Sequence, residues 1–108
     1  MFRRMCRKTC RYRDGISQNA IINIIKNNED VVLLDVRSKQ EYDEGHLPGA
    51  INISVYDLPY KAEKELKNKN CIIIAYCSAG IRSRKAVNIL RKLGYKNLYN
   101  VEDGIIVF

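Results

Sequence analysis

Cys71-Ile72-Ile73-Ile74-Ala75-Tyr76-Cys77-Ser78-Ala79-Gly80-Ile81-Arg82-Ser83 is the stretch on which the fold turns. Its first half is an unbroken apolar run rich in β-branched residues, which reads as a strand over Ile72 to Tyr76 covered on both faces. Its second half is small and polar and leads into a helix over Ser83 to Leu93. There Ala86, Val87, Ile89, Leu90 and Leu93 recur at helical spacing, and Gly94 stops it. Strand, tight loop and helix in that order put Cys77 at the carboxyl end of a strand and at the start of a helix. A free thiol of pKa about 8.5 is only slightly ionised at neutral pH, and a helix N-terminus or a neighbouring cation lowers that value. The unpaired amides after Gly80 and the guanidinium of Arg82 supply both, which makes Cys77 the candidate nucleophile.

Upstream, the pattern alternates between the two periods. Asp14-Gly15 marks a turn, Ser17 is placed to cap a helix running to Asn27, and Ala20, Ile21, Ile24 and Ile25 form its apolar stripe. Val31 to Val36 is a second continuous apolar strand, ending in Asp35-Val36-Arg37. A short helix around Gln40 to Asp43 stops at Gly45, Pro48-Gly49 turns the chain, and Ala50 to Ser54 reads as a strand. Leu58 to Leu66 is helical, with Pro59 in its first turn, where a missing amide costs little. Leu98 to Val101 closes the pattern as a last short strand. Strands alternating with helices predict an α/β sandwich built on a parallel sheet, whose sites form at the carboxyl ends of the strands.

The length of 108 residues allows one domain with a modest core. No apolar run approaches the roughly 20 residues of a membrane helix, and no signal-like apolar stretch opens the chain, so a cytoplasmic location and no membrane contact are expected. The formal charge of +7 is unevenly spread. Residues 1–13 hold six basic side chains (Arg3, Arg4, Arg7, Lys8, Arg11 and Arg13) and no acid, while the other 95 residues carry 13 basic and 12 acidic ones. The expected organisation is therefore a flexible basic tail over residues 1–14 and a single domain over 15–108. A nucleic-acid role would rest on the tail alone and is not expected of the domain. Cys6 and Cys10 have the spacing of half a metal site but lack a second pair, and the chain has one histidine, so no metal is expected. Cys71 reads as a small core residue.

The chain resembles the rhodanese-like sulfurtransferases in single-domain form. The likeness runs from about Ile16 to Phe108 and rests on three ordered blocks: Val31 to Arg37 followed by Glu41-Tyr42; Gly45-His46-Leu47-Pro48-Gly49-Ala50-Ile51-Asn52; and Tyr76-Cys77 with Gly80, Arg82 and Ser83. The resemblance implies a three-layer α/β/α sandwich with a mostly parallel, five-stranded sheet. It also implies a thiosulfate sulfurtransferase activity in which Cys77 takes a sulfane sulfur from a small anionic donor as a persulfide. A thiophilic acceptor then removes it: cyanide, a small thiol, or a sulfur-accepting protein. No cofactor is implied, because the cysteine itself carries the sulfur. A delivery module that hands sulfur to a protein partner with little free turnover is the second reading. Cysteine phosphatase or arsenate reductase chemistry is the third. Cysteine phosphatases place five residues between Cys and Arg, whereas only Ser78, Ala79, Gly80 and Ile81 intervene here, a cradle sized for one sulfur.

Within that reading Ser78, Ala79, Gly80, Ile81, Arg82 and Ser83 form the active-site loop. Gly80 lets the backbone curl so that amides face the sulfur. Arg82 attracts an anionic donor and favours the thiolate, or pairs with an acid, and Ser83 caps the following helix or bonds the persulfide. Asp35, Arg37, Glu41 and His46 are expected to be structural support. Asp35 and Arg37 would fix the turn after their strand, Glu41 would pair with Arg37, and His46 would bond backbone. Two positions depart from the family pattern: Ser78 stands where a basic residue is common, and Asp103-Gly104 where paired glycines are.

Overall fold

The computed structural model describes residues 18–27, 30–101 and 104. The basic tail, its boundary with the domain, Ser17, Cys6, Cys10 and Asp103 lie outside the described residues. Among these the chain alternates α1 (Gln18–Asn27), β1 (Val31–Asp35), α2 (Lys39–Glu44), β2 (Ile51–Asn52), α3 (Leu58–Glu65), β3 (Ile72–Tyr76), α4 (Ile81–Lys92) and β4 (Asn97–Asn100). The sheet order is β2-β1-β3-β4 and every pairing is parallel. The described residues thus form four strands, not the five that the resemblance implies. The strand expected over Ala50 to Ser54 narrows to Ile51–Asn52, although the ladder runs on, with the Ile53 amide bonding the Asp35 carbonyl (3.1 Å) and the Val55 amide that of Val36 (3.0 Å).

The strands read as continuous apolar runs because both faces are covered. On one face Leu34, Ile73 and Ala75 pack with Leu58 and Ala62 of α3 and Ala86, Val87 and Leu90 of α4. On the other, Leu33, Ile74 and Tyr76 pack with Ile24 of α1 and Tyr42 of α2. Burial of this apolar area is the main driving force for the three-layer arrangement, at about 25 cal/mol per Å². In α4 the buried positions Ser83, Ala86, Val87 and Leu90 fall on one stripe, so the helix turns a single hydroxyl inward at the end nearest β3. Among the described residues no helix is long and apolar enough to cross a membrane.

Tyr95, 2 % exposed, ties the α3 end to the start of β4, its hydroxyl bonding the carbonyls of Ala62 (3.2 Å) and Leu66 (2.5 Å). The Leu66 carbonyl lies at the cap of α3, where helical partners run out, while that of Ala62 also accepts from the Leu66 amide. We expect Tyr95→Phe to lower the unfolding free energy by about 1–2 kcal/mol, measured as a drop in the urea midpoint with unchanged slope.

Candidate active site

The parallel pairing of β1 with β3 sets Asp35 opposite Tyr76, so both strands release their chains at one edge of the sheet. Cys77 leaves β3 there. Three residues later Gly80 takes the left-handed conformation (φ +87°) and becomes the N-cap of α4, a backbone state that glycine adopts without strain. The reversal brings the Gly80 amide back onto the cysteine, donating to its Sγ at 3.1 Å. Ser83, expected as the helix cap, is instead the third residue of α4. It is fully buried, with its Oγ 3.5 Å from the same sulfur. Burial pushes the Cys77 thiol up, but the Ser83 hydroxyl and the amides of Ser83, Ala79 and Gly80 more than reverse this and hold it below the ordinary thiol value.

The sulfur is covered. Cys77 is 1 % exposed, while Ser78, Ala79 and Ile81 around it are exposed. The loop is also backed closely from behind. A Cβ on Gly104 (φ +76°) would lie 2.0 Å from the Ser78 carbonyl oxygen and 2.6 Å from the Ala79 nitrogen, so the chain after β4 passes against the loop backbone at a distance only glycine permits. Asn100, buried at the end of β4, reaches the Gly80 carbonyl with its Nδ2 at 3.5 Å.

Asp35 and Arg37 fix the turn after β1 and His46 bonds backbone, as expected, while Glu41 takes a different partner. Arg37 pairs with Asp35, its Nη2 2.8 Å and its Nε 3.0 Å from the two carboxylate oxygens, and spends Nη2 also on the Gly45 carbonyl at 2.6 Å. Asn52 closes this turn by donating to the carbonyls of Asp35 and Arg37, both at 2.9 Å. Glu41 does not reach for Arg37. It grips Arg82 across the molecule, Nη1–Oε1 2.6 Å and Nη2–Oε2 3.1 Å, and that contact pulls its carboxyl down to about 2. Arg37 is already saturated by the nearer Asp35, which frees Glu41 for the loop arginine. Arg82 is therefore a paired cation, with Nη2 also 3.5 Å from Ser78 Oγ. His46 stacks on Tyr42 (ring centroids 3.7 Å apart) with Nδ1 2.8 Å from the Tyr42 carbonyl.

Ser38 was passed over in the sequence although Ser38-Lys39-Gln40-Glu41 carries the signature of a capping box, which α2 forms in full. Tyr76 is more than a strand residue: its hydroxyl accepts from the Leu47 amide at 3.0 Å. An open cleft of about 390 Å³, lined in part by Asp30, Val32, Leu66, Asn68 and Cys71, lies at the opposite, amino-terminal end of the strands and includes none of the predicted site residues.

Comparison with known proteins agrees with this architecture. The profile of the rhodanese-like domain matches residues 17–107, and the chain belongs to that family. It is 37 % identical over 91 residues to the tRNA uridine(34) hydroxylase of Photorhabdus laumondii, covering 81 % of this chain and 26 % of that protein. The chain spans about a quarter of the length of the curated relatives it matches. Among solved structures it is similar to a rhodanese-related protein from Thermoplasma volcanium (TM-score 0.70, 30 % identity, covering 83 % of this chain and 84 % of that one). A rhodanese from E. coli solved with anions is likewise similar (TM-score 0.63, 32 % identity, covering 67 % and 85 %).

Two substitutions test the sulfur environment. Ser83→Ala removes one donor and should raise the apparent thiol pKa, read as an upward move in the pH dependence of Cys77 alkylation. Gly104→Ala must push the Ser78–Ala79 backbone aside, so we expect the same profile to shift upward while the fold survives, as judged by its thermal transition.

Proposed function

We propose that this chain is a sulfurtransferase of the thiosulfate type that works through a persulfide on Cys77. The observation that carries the reading is the Gly80 amide 3.1 Å from Sγ, joined by the Ser83 hydroxyl: donors aimed at a sulfur that has to bear negative charge before and after it reacts. The Cys77 thiolate attacks the outer sulfur of a donor such as thiosulfate, the donor's S–S bond breaks, and sulfite leaves with the bonding pair. The outer sulfur of the new persulfide then takes up the charge that the thiolate carried. A thiophilic acceptor, cyanide or a small or protein thiol, next attacks that outer sulfur and returns Cys77 to the thiolate, giving ping-pong kinetics. Cys77 is 1 % exposed, so a donor needs the loop to yield, which suits a slow, partner-triggered delivery module as readily as a fast enzyme. Cytoplasmic residence fits a chemistry that needs a reduced thiol.

Asp35, Arg37 and His46 hold the turns after β1 and α2 in this scheme, and no metal or organic cofactor takes part. The relatives favour a second reading, in which the same cysteine serves modification of a tRNA uridine. Nucleoside mass spectrometry of tRNA incubated with the chain would show it.

Intact-mass analysis after mixing with thiosulfate tests the first reading. The wild type and Cys71→Ser should each gain one sulfur atom, and Cys77→Ser should gain none. Equal uptake by Cys77→Ser would remove Cys77 from the chemistry.

A further inference from the structure

The 95 residues after the tail carry 13 basic and 12 acidic side chains, but the balance is not local. The helix α4 holds Arg82, Arg84, Lys85, Arg91 and Lys92 and no acid. At about 100° per residue, Ile81, Arg84, Lys85, Asn88, Arg91 and Lys92 fall within about a third of the helix circumference, opposite the buried stripe of Ser83, Ala86, Val87 and Leu90. All six are exposed. From Arg84 to Lys92 this cationic face runs about 12 Å. The helix dipole accounts for Arg91 and Lys92 at the carboxyl end, but it opposes cations in the first turn, where α4 places Arg82 and Arg84.

On the same side of the sheet lies α3, sharing one core with α4 through Leu58, Ala62, Ala86, Val87 and Leu90. Both helices follow parallel strands and so begin at the carboxyl edge, where Cys77 sits. At the start of α3, Tyr56 and Tyr60 are 78 % and 84 % exposed, their rings clear of the core. Of the acids in this layer, Glu63 is engaged by Lys69 (2.6 Å) and Glu65 lines the cleft at the opposite end of the strands, which leaves Asp57, next to Tyr56 in the chain. A row of cations along a helix matches a linear polyanion, and bare aromatic rings at its head match unpaired bases. A folded acidic protein would instead require an apolar centre, which the α4 face has only in Ile81.

We propose that the outer face of α4, with Tyr56 and Tyr60 at its Cys77 end, is a docking surface for a single-stranded RNA segment, the cations following its phosphates and the tyrosines stacking on its bases. The inference rests on the second reading above, in which Cys77 serves a tRNA uridine, and names where that RNA lies.

Binding of a fluorescein-labelled oligouridylate of about 12 nucleotides to the full chain, followed by anisotropy across a salt series, tests it without any chemistry. Expected for Lys85→Gln/Arg91→Gln/Lys92→Gln is a loss of about tenfold or more at low salt, with the slope of log K against log salt shallower by about 2, since each phosphate contact contributes about 0.7. Tyr56→Ala/Tyr60→Ala should lose about fivefold or more with its slope unchanged. These side chains are exposed and glutamine keeps helix propensity, so the thermal transition should stay in place. Lys26→Gln/Lys39→Gln, on the opposite layer, should change affinity within about twofold. Affinity unmoved in the α4 variant, which would leave basic residues 1–13 as the RNA contact, or an equal loss in the Lys26 and Lys39 control, would overturn the assignment. So would polyglutamate binding this face more tightly than the oligouridylate, which would mark it as a surface for an acidic protein. An unchanged nucleoside spectrum of tRNA beside intact, α4-dependent binding would sink the uridine reading alone and leave the docking surface standing.

Discussion

The register of β1 against β3, with Asp35 level with Tyr76, is the constraint on which the rest depends. Parallel strands in register deliver their carboxyl ends to one line, and everything of chemical interest hangs from that line. On the β1 side Arg37 folds back onto Asp35 and the Asn52 amide stitches the turn to β2. On the β3 side Tyr76 anchors the far face through Leu47 while the next residue, Cys77, joins the near one. A slip of one position would exchange those faces and send the sulfur into the layer occupied by α1 and α2.

The strand β3 is flanked by a cysteine at each end, and the two behave oppositely. Both are buried free thiols. Burial pushes Cys71 up, as expected for sulfur in apolar surroundings. Cys77 is buried more completely and yet sits low, because a serine hydroxyl and three loop amides converge on it. Depth does not distinguish the two sites. What distinguishes them is whether the backbone turns its donors inward, and only the Gly80 reversal does that.

Much of this was legible in the sequence. The runs Val31–Asp35 and Ile72–Tyr76, the helical spacing of Ala86, Val87 and Leu90, and the small-residue loop after Cys77 are local patterns, and local patterns carry secondary structure. The Glu41–Arg82 pair was not legible: the two residues stand 41 positions apart and become neighbours only through the sheet, while the nearer Arg37 offered a plausible partner. Serine is a common cap, so spacing alone points to Ser83, whereas Gly80 caps α4 and the serine lies inside its first turn. The approach of Gly104 to Ser78 is a contact between backbones, and no periodicity records it.

That approach has a consequence for how the protein is born. Residues 71–83 emerge from the ribosome before Asn100 and Gly104, the two positions that brace the loop from behind. The donors to the sulfur are made together with it, on residues 79–83, so what the later-made strand and Gly104 add is a brace that holds the loop's backbone from behind.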